Sequence, residues 1–93
     1  MITSHIDIET KDYGIHRERI LMIDKLMAEK SARAGGWKLQ DSELTFTAFL
    51  AWQTLHRAGK IPQELGHDDF VSNQLVDAII TQGETVNPTK TSG

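Results

Sequence analysis

Between Ser42 and Gly59 the chain repeats apolar side chains at a spacing that suits a helix and no other regular element. Ala48, Ala51, Trp52 and Leu55 stand at i, i+3, i+4 and i+7, which is one stripe along a helix. Phe46, Phe49 and Leu50 form a second stripe, roughly a hundred degrees or more around the axis. Asp41 or Ser42 can cap the start by accepting from an otherwise unpaired amide, and Glu43 suits the positive end of the helix dipole. Gly59 follows as the C′ residue and Pro62 lies three residues beyond it. A helix apolar over most of its circumference is either the centre of a core or a core element that also serves a partner.

The flanking segments are read around that helix. Ile2, Ile6 and Ile8 share one parity with polar residues between them, the period of a half-buried strand. No convincing second strand accompanies it, so this stretch is expected to pair with another molecule, lie on the helices as an extended arm, or stay disordered. Tyr13-Gly14 breaks the pattern. His16 to Arg33 predicts a first helix, with Ile20, Ile23 and Met27 at helical spacing and Met22 and Leu26 widening the stripe. Gly35-Gly36 ends it, and Trp37 in the connection is expected to fold back on the helices. Pro62 to Gly66 suits a single turn. Asp68 opens a third helix to about Gln82, with Val71, Leu75, Ala78 and Ile79 along one side and Phe70, Val76 and Ile80 flanking it. The expected fold is therefore mostly α: a small three- to four-helix domain over 15–83, an extended N-terminal arm over 1–14, and a polar, disordered tail over 84–93.

Composition sets the class. Ninety-three residues with 39% apolar and 25% charged side chains make one globular domain. There is no cysteine, which removes disulfides, thiolate metal sites and cysteine nucleophiles, and fits a reducing cytoplasm. The longest strictly apolar run, Ile20-Leu21-Met22-Ile23, is far short of the ~20 residues of a membrane span. Met1 to His5 carries no basic region ahead of an apolar stretch, so no signal peptide is expected. The net charge of −3 is unevenly spread: −2 over residues 1–15, +3 over 16–38 and −4 over 39–93.

No catalytic constellation stands out. The histidines at 5, 16, 56 and 67 share no i, i+4 pair, so no metal site is expected, and phosphate-cradling and nucleophile-elbow motifs are missing. His67-Asp68-Asp69 reads as a helix cap with extra negative charge. A helix-turn-helix is disfavoured because both connections exceed a 3–4-residue turn and residues 68–82 hold three Asp and no Lys or Arg. The reading is a non-enzymatic protein without cofactors, binding neither nucleic acid nor membrane. What remains is protein–protein contact. Phe46, Phe49, Leu50 and Trp52, with Trp37 nearby, suit a core or a groove for another chain's apolar helix equally well.

Residues Leu44 to Pro62 (LTFTAFLAWQTLHRAGKIP) and the following Asp69-Phe70-Val71 resemble the small tail assembly chaperones of long-tailed (siphovirus-type) bacteriophages. Phe49-Leu50-Ala51-Trp52, Arg57-Ala58-Gly59 and Asp69-Phe70 carry the likeness, which covers roughly 15–82. The resemblance implies a homo-oligomeric chaperone of the bacterial host cytoplasm that keeps the apolar, helical tape measure protein soluble until tail tube subunits displace it. It also implies that Trp37, Phe46, Phe49, Leu50, Trp52 and Phe70 meet the partner. Self-association is expected through the strand residues Ile2, Ile6 and Ile8 and through Arg17 and Arg19. The alternatives are a small phage regulatory or inhibitory protein acting by surface contact and, third, a helical DNA-binding protein.

Overall fold

The computed structural model describes residues 4–38 and 42–82. The fold is α/β, not mostly helical. Its elements in chain order are β1 (Ser4–Thr10), β2 (Ile15–Arg19), α1 (Met22–Gly35), α2 (Glu43–Arg57), α3 (His67–Asn73) and β3 (Leu75–Gln82). The strands form one antiparallel sheet in the order β2-β1-β3.

Three expectations are corrected. The N-terminal strand is no lone arm but the centre of the sheet, and β1 and β2 make a hairpin. The apparent break at Tyr13-Gly14 is its turn: Gly14 takes φ +87°, which favours glycine, and the Thr10 side chain holds the far end of the loop. The Thr10 hydroxyl donates to the Gly14 carbonyl at 2.7 Å and accepts from the Tyr13 amide at 2.9 Å. The predicted first helix therefore loses its first six residues. His16 and Glu18 point to one face of β2, Arg17 and Arg19 to the other, and Arg17 stands directly opposite Asp7.

The predicted third helix stops at Asn73. Leu75 to Gln82 is rich in β-branched side chains (Val76, Ile79, Ile80, Thr81), and β1 otherwise has a bare side to satisfy. Pairing sets Ile80 opposite Ile6 and Ala78 opposite Ile8, with an irregularity at Glu9/Thr10 that leaves Val76 as the extra residue. Residues 75–80 hold enough apolar side chains to fit a period of two or of 3.6, so tertiary pairing decided between them.

Helices cover the sheet face that carries Ser4, Ile6, Ile8 and Thr10, all buried. The core joins Ile6, Ile8 and Ile20 to Phe49, Leu50, Ala51 and Leu55 of α2, Ile61 and Phe70. The clearest sequence element, α2, behaves as expected of a central helix: it touches all three strands and both other helices. Gly59 at φ +73° and the Lys60 amide donating to the Leu55 carbonyl at 2.9 Å close its C-terminus as read. The expected turn after Pro62 closes through the Leu65 amide on the Pro62 carbonyl at 3.0 Å.

Among the elements, α1 packs on α2 alone. The contact is polar at its heart. Asp24, fully buried, accepts the Leu21 amide at 2.8 Å and so closes the first turn of α1. The same carboxylate takes two hydrogen bonds from Arg57, at 2.8 Å from Nε and 3.0 Å from Nη2, and a longer one from Gln53 at 3.3 Å. Arg57 Nη2 also donates to the Arg19 carbonyl at 3.1 Å, tying the end of β2 into the same knot. This pairing raises the Arg57 pKa above its usual value.

Asp24→Ala strands Arg57 and the Leu21 amide, and should cost about 3 kcal/mol, the lower end for breaking a buried pair because Arg57 keeps part of its side chain in water. Asp24→Asn, which retains an acceptor, should cost less. Urea titration with a common m-value checks both.

Candidate functional site

Among the described residues no group of three or more histidine, aspartate or glutamate side chains comes together as a metal site. The candidate His67-Asp68 pair is a 3.2 Å contact with Asp68 fully in water. His67 lies instead against rings: its centroid is 5.5 Å from Phe49 and 5.9 Å from Trp52, and Trp52 stacks on His56 at 4.7 Å. This cluster pins the α2–α3 connection. No side chain in it is arranged as a nucleophile with its base. No helix among the described residues is long and apolar enough to cross a membrane.

The partner-binding residues read from the sequence separate into two groups. Phe49, Leu50 and Phe70 are sealed in the core, where no partner reaches them without unfolding. Trp52 is half-buried, with its indole N–H donated to the Leu65 carbonyl at 2.9 Å. Trp37 does fold back: its ring covers Gly35, where a Cβ would stand 3.0 Å from the indole. Phe46 lines an open groove, with Leu44 and Thr47 across from Ala78 to Ile80 of β3.

The self-association residues are likewise placed within one molecule. Ile6 and Ile8 are buried in the central strand, so exchanging that strand would open the sheet. Ile2 lies outside the described residues. Arg17 is held by Asp7 at 2.8 Å on the outer sheet face, and its hydrogen bonds hold the Asp7 carboxyl below its usual 3.8. The outer-facing Arg19 pairs with His5 across the sheet and accepts Arg57 at its carbonyl, and its side chain is in no ion pair with a described residue.

Part of the exposed apolar surface lies on the first helix. Leu21, Met22, Ile23, Leu26 and Met27 form a contiguous patch over the first half of α1, with Met22 67% and Leu26 51% exposed. At about 100° per residue, Met22, Ile23 and Leu26 lie on the side away from Asp24, Ala28 and Ala32, which face α2, while Met27 flanks that side and Leu21 precedes the helix as its N-cap. Lys30 and Arg33 follow Leu26 at i+4 and i+7 on the same outward side, and Lys25 borders it. None of the three is in an ion pair with a described residue. The surface thus runs from oily to cationic along one helix, with Glu29 as its single acidic member. The sequence signal for its orientation was Asp24, Ala28 and Ala32, spaced four apart: two small residues allow close approach to α2, and the carboxylate can cap.

Comparison with protein-family models, with curated proteins and with solved structures finds no match. Of the residues that carry the sequence resemblance, Phe49, Leu50 and Ala51 are in the core, Arg57 is on Asp24 and Gly59 is in the left-handed cap, whereas Ala58 and Asp69 are exposed.

Two measurements check these placements. Phe49→Ala should lose about 3–5 kcal/mol of stability as a core cavity, whereas the exposed pair Met22→Gln with Leu26→Gln should stay within about 0.5 kcal/mol per site. Arg17→Gln should return the Asp7 carboxyl toward 3.8 in an NMR titration. Because the folded pKa of Asp7 is lowered, the pair's contribution to stability is present above 3.8 and fades as pH falls through that lowered value.

Proposed function

We propose that this chain is a non-enzymatic client-holding protein of the phage tail assembly chaperone kind, acting in the bacterial host cytoplasm, and that α1 is its client surface. The observation that carries the reading is the patch of Leu21, Met22, Ile23, Leu26 and Met27 standing in water on a domain that already has a closed core. Exposed apolar surface gathered in one place marks an interaction site, and two flexible thioether side chains suit a client of varied sequence. Lys25, Lys30 and Arg33 at the border favour an amphipathic client helix whose apolar stripe is flanked by acidic residues. An apolar helical tape measure protein is the client that the sequence resemblance names. Burial at about 25 cal/mol per Å² of apolar area is offset by the ordering of both helices, so each contact is weak and many copies along one client supply the grip.

Co-expression with a tape measure fragment tests the reading. Wild type should keep the fragment soluble, and Met22→Asp with Leu26→Asp should lose most of that recovery while its circular dichroism and melting temperature stay those of wild type. Lys30→Glu with Arg33→Glu should weaken recovery less and reduce its salt dependence. Equal recovery with all three proteins counts against α1 as the client surface.

A further inference from the structure

We infer that β3 is a dimerisation edge, at which a second copy of this chain adds its own β3 antiparallel, two-fold about Ile79, to make a continuous six-stranded sheet. The two edges of the sheet are built differently. On β2, four of five residues are His16, Arg17, Glu18 and Arg19, the charged guard that edge strands commonly carry against another strand. On β3 the sequence Leu-Val-Asp-Ala-Ile-Ile-Thr-Gln holds one charge, Asp77, and neither Lys nor Pro nor Gly. No described strand pairs with its far side. Beside that side runs the groove of about 570 Å³ between the start of α2 and Ala78 to Gln82, with Leu44 at 84% exposure on its rim.

The strand is complementary to itself in that register. A two-fold axis normal to the sheet keeps each face on its own side, so outward residues meet outward residues. Centred on Ile79, the pairing spans the whole of 76–82. Ile79, 60% exposed in the single chain, meets its twin. Ala78 lies opposite Ile80 on the helix-covered face, a small side chain against a large one. Asp77 stands opposite the Thr81 hydroxyl, and the two Asp77 carboxylates are four residues apart along the strands, about 13 Å, beyond the ~8 Å screening length at physiological salt. Centring one residue earlier, on Ala78, would set that carboxylate against Ile79. The surface is separate from α1, so this pairing and client binding can fail independently.

Sedimentation equilibrium on the full chain tests the inference. Wild type should show twice the 10.4 kDa chain mass, falling toward one on dilution. Ile79→Lys places like charges directly opposite across the axis and should halve the mass, with unchanged circular dichroism and a melting temperature that matches dilute, monomeric wild type and no longer varies with concentration. Since the chain has no cysteine, Ile79→Cys should oxidise to a covalent dimer, its opposed Cα atoms lying at the ~4.5–5.5 Å of a cross-strand pair. Thr81→Cys, which opposes Asp77 and not its twin, should not. A monomeric wild type at every concentration, an Ile79→Lys protein that stays dimeric, or cross-linking as efficient from Thr81→Cys as from Ile79→Cys overturns it.

Discussion

A single buried carboxylate organises the helical layer. Asp24 caps α1 through the Leu21 amide and receives Arg57 from the far end of α2, and Arg57 in turn reaches the last carbonyl of β2. A charge taken out of water is costly unless its oxygens are filled, and here protein donors serve both of them. That requirement fixes the rotation of α1. Once Asp24 must face α2, Ala28 and Ala32 face it too, and Met22, Ile23, Leu26 and Met27 are carried to the outside. The oily surface is a consequence of where the polar contact sits.

The sheet divides its labour in a similar way. Its centre, β1, is satisfied on both sides and buries one parity of its side chains under α2. The outer face is largely polar, with Asp7 and Arg17 paired across strands. The edges then differ in character, charged at β2 and nearly uncharged at β3. Two regions of the described surface, α1 and the β3 edge, are thus left with more apolar exposure than a small domain needs for its own stability. They lie on different elements that do not pack together.

Much of the local architecture was legible from the residues. The middle helix, the glycines that end α1 and α2, the turn after Pro62 and the strand period of Ile6 and Ile8 all follow from side-chain spacing and backbone freedom, which are local properties. The hairpin was barely legible: Gly14 sits four residues past Thr10, but Ile15 to Arg19 holds a single apolar residue and no period of two, and the run of good helix formers behind it favoured helix. The site was not legible in the same way. An apolar stripe on a helix says that one side prefers to leave water, and the first helix departs from that preference because a buried ion pair claims the opposite side. Phe49, Leu50 and Phe70 read equally well as core or groove, and the sheet beneath them made them core.

The amino-acid sequence by itself determined a cysteine-free chain with one strongly apolar central helix and helix ends set by Gly36 and Gly59, because these depend on composition and on interactions a few residues long. Only the tertiary structure decided that residues 75–82 are a strand and that the oily side of α1 faces water. Both outcomes turn on partners distant in the chain: β1, whose backbone groups require a second neighbour, and Arg57, whose guanidinium draws Asp24 inward.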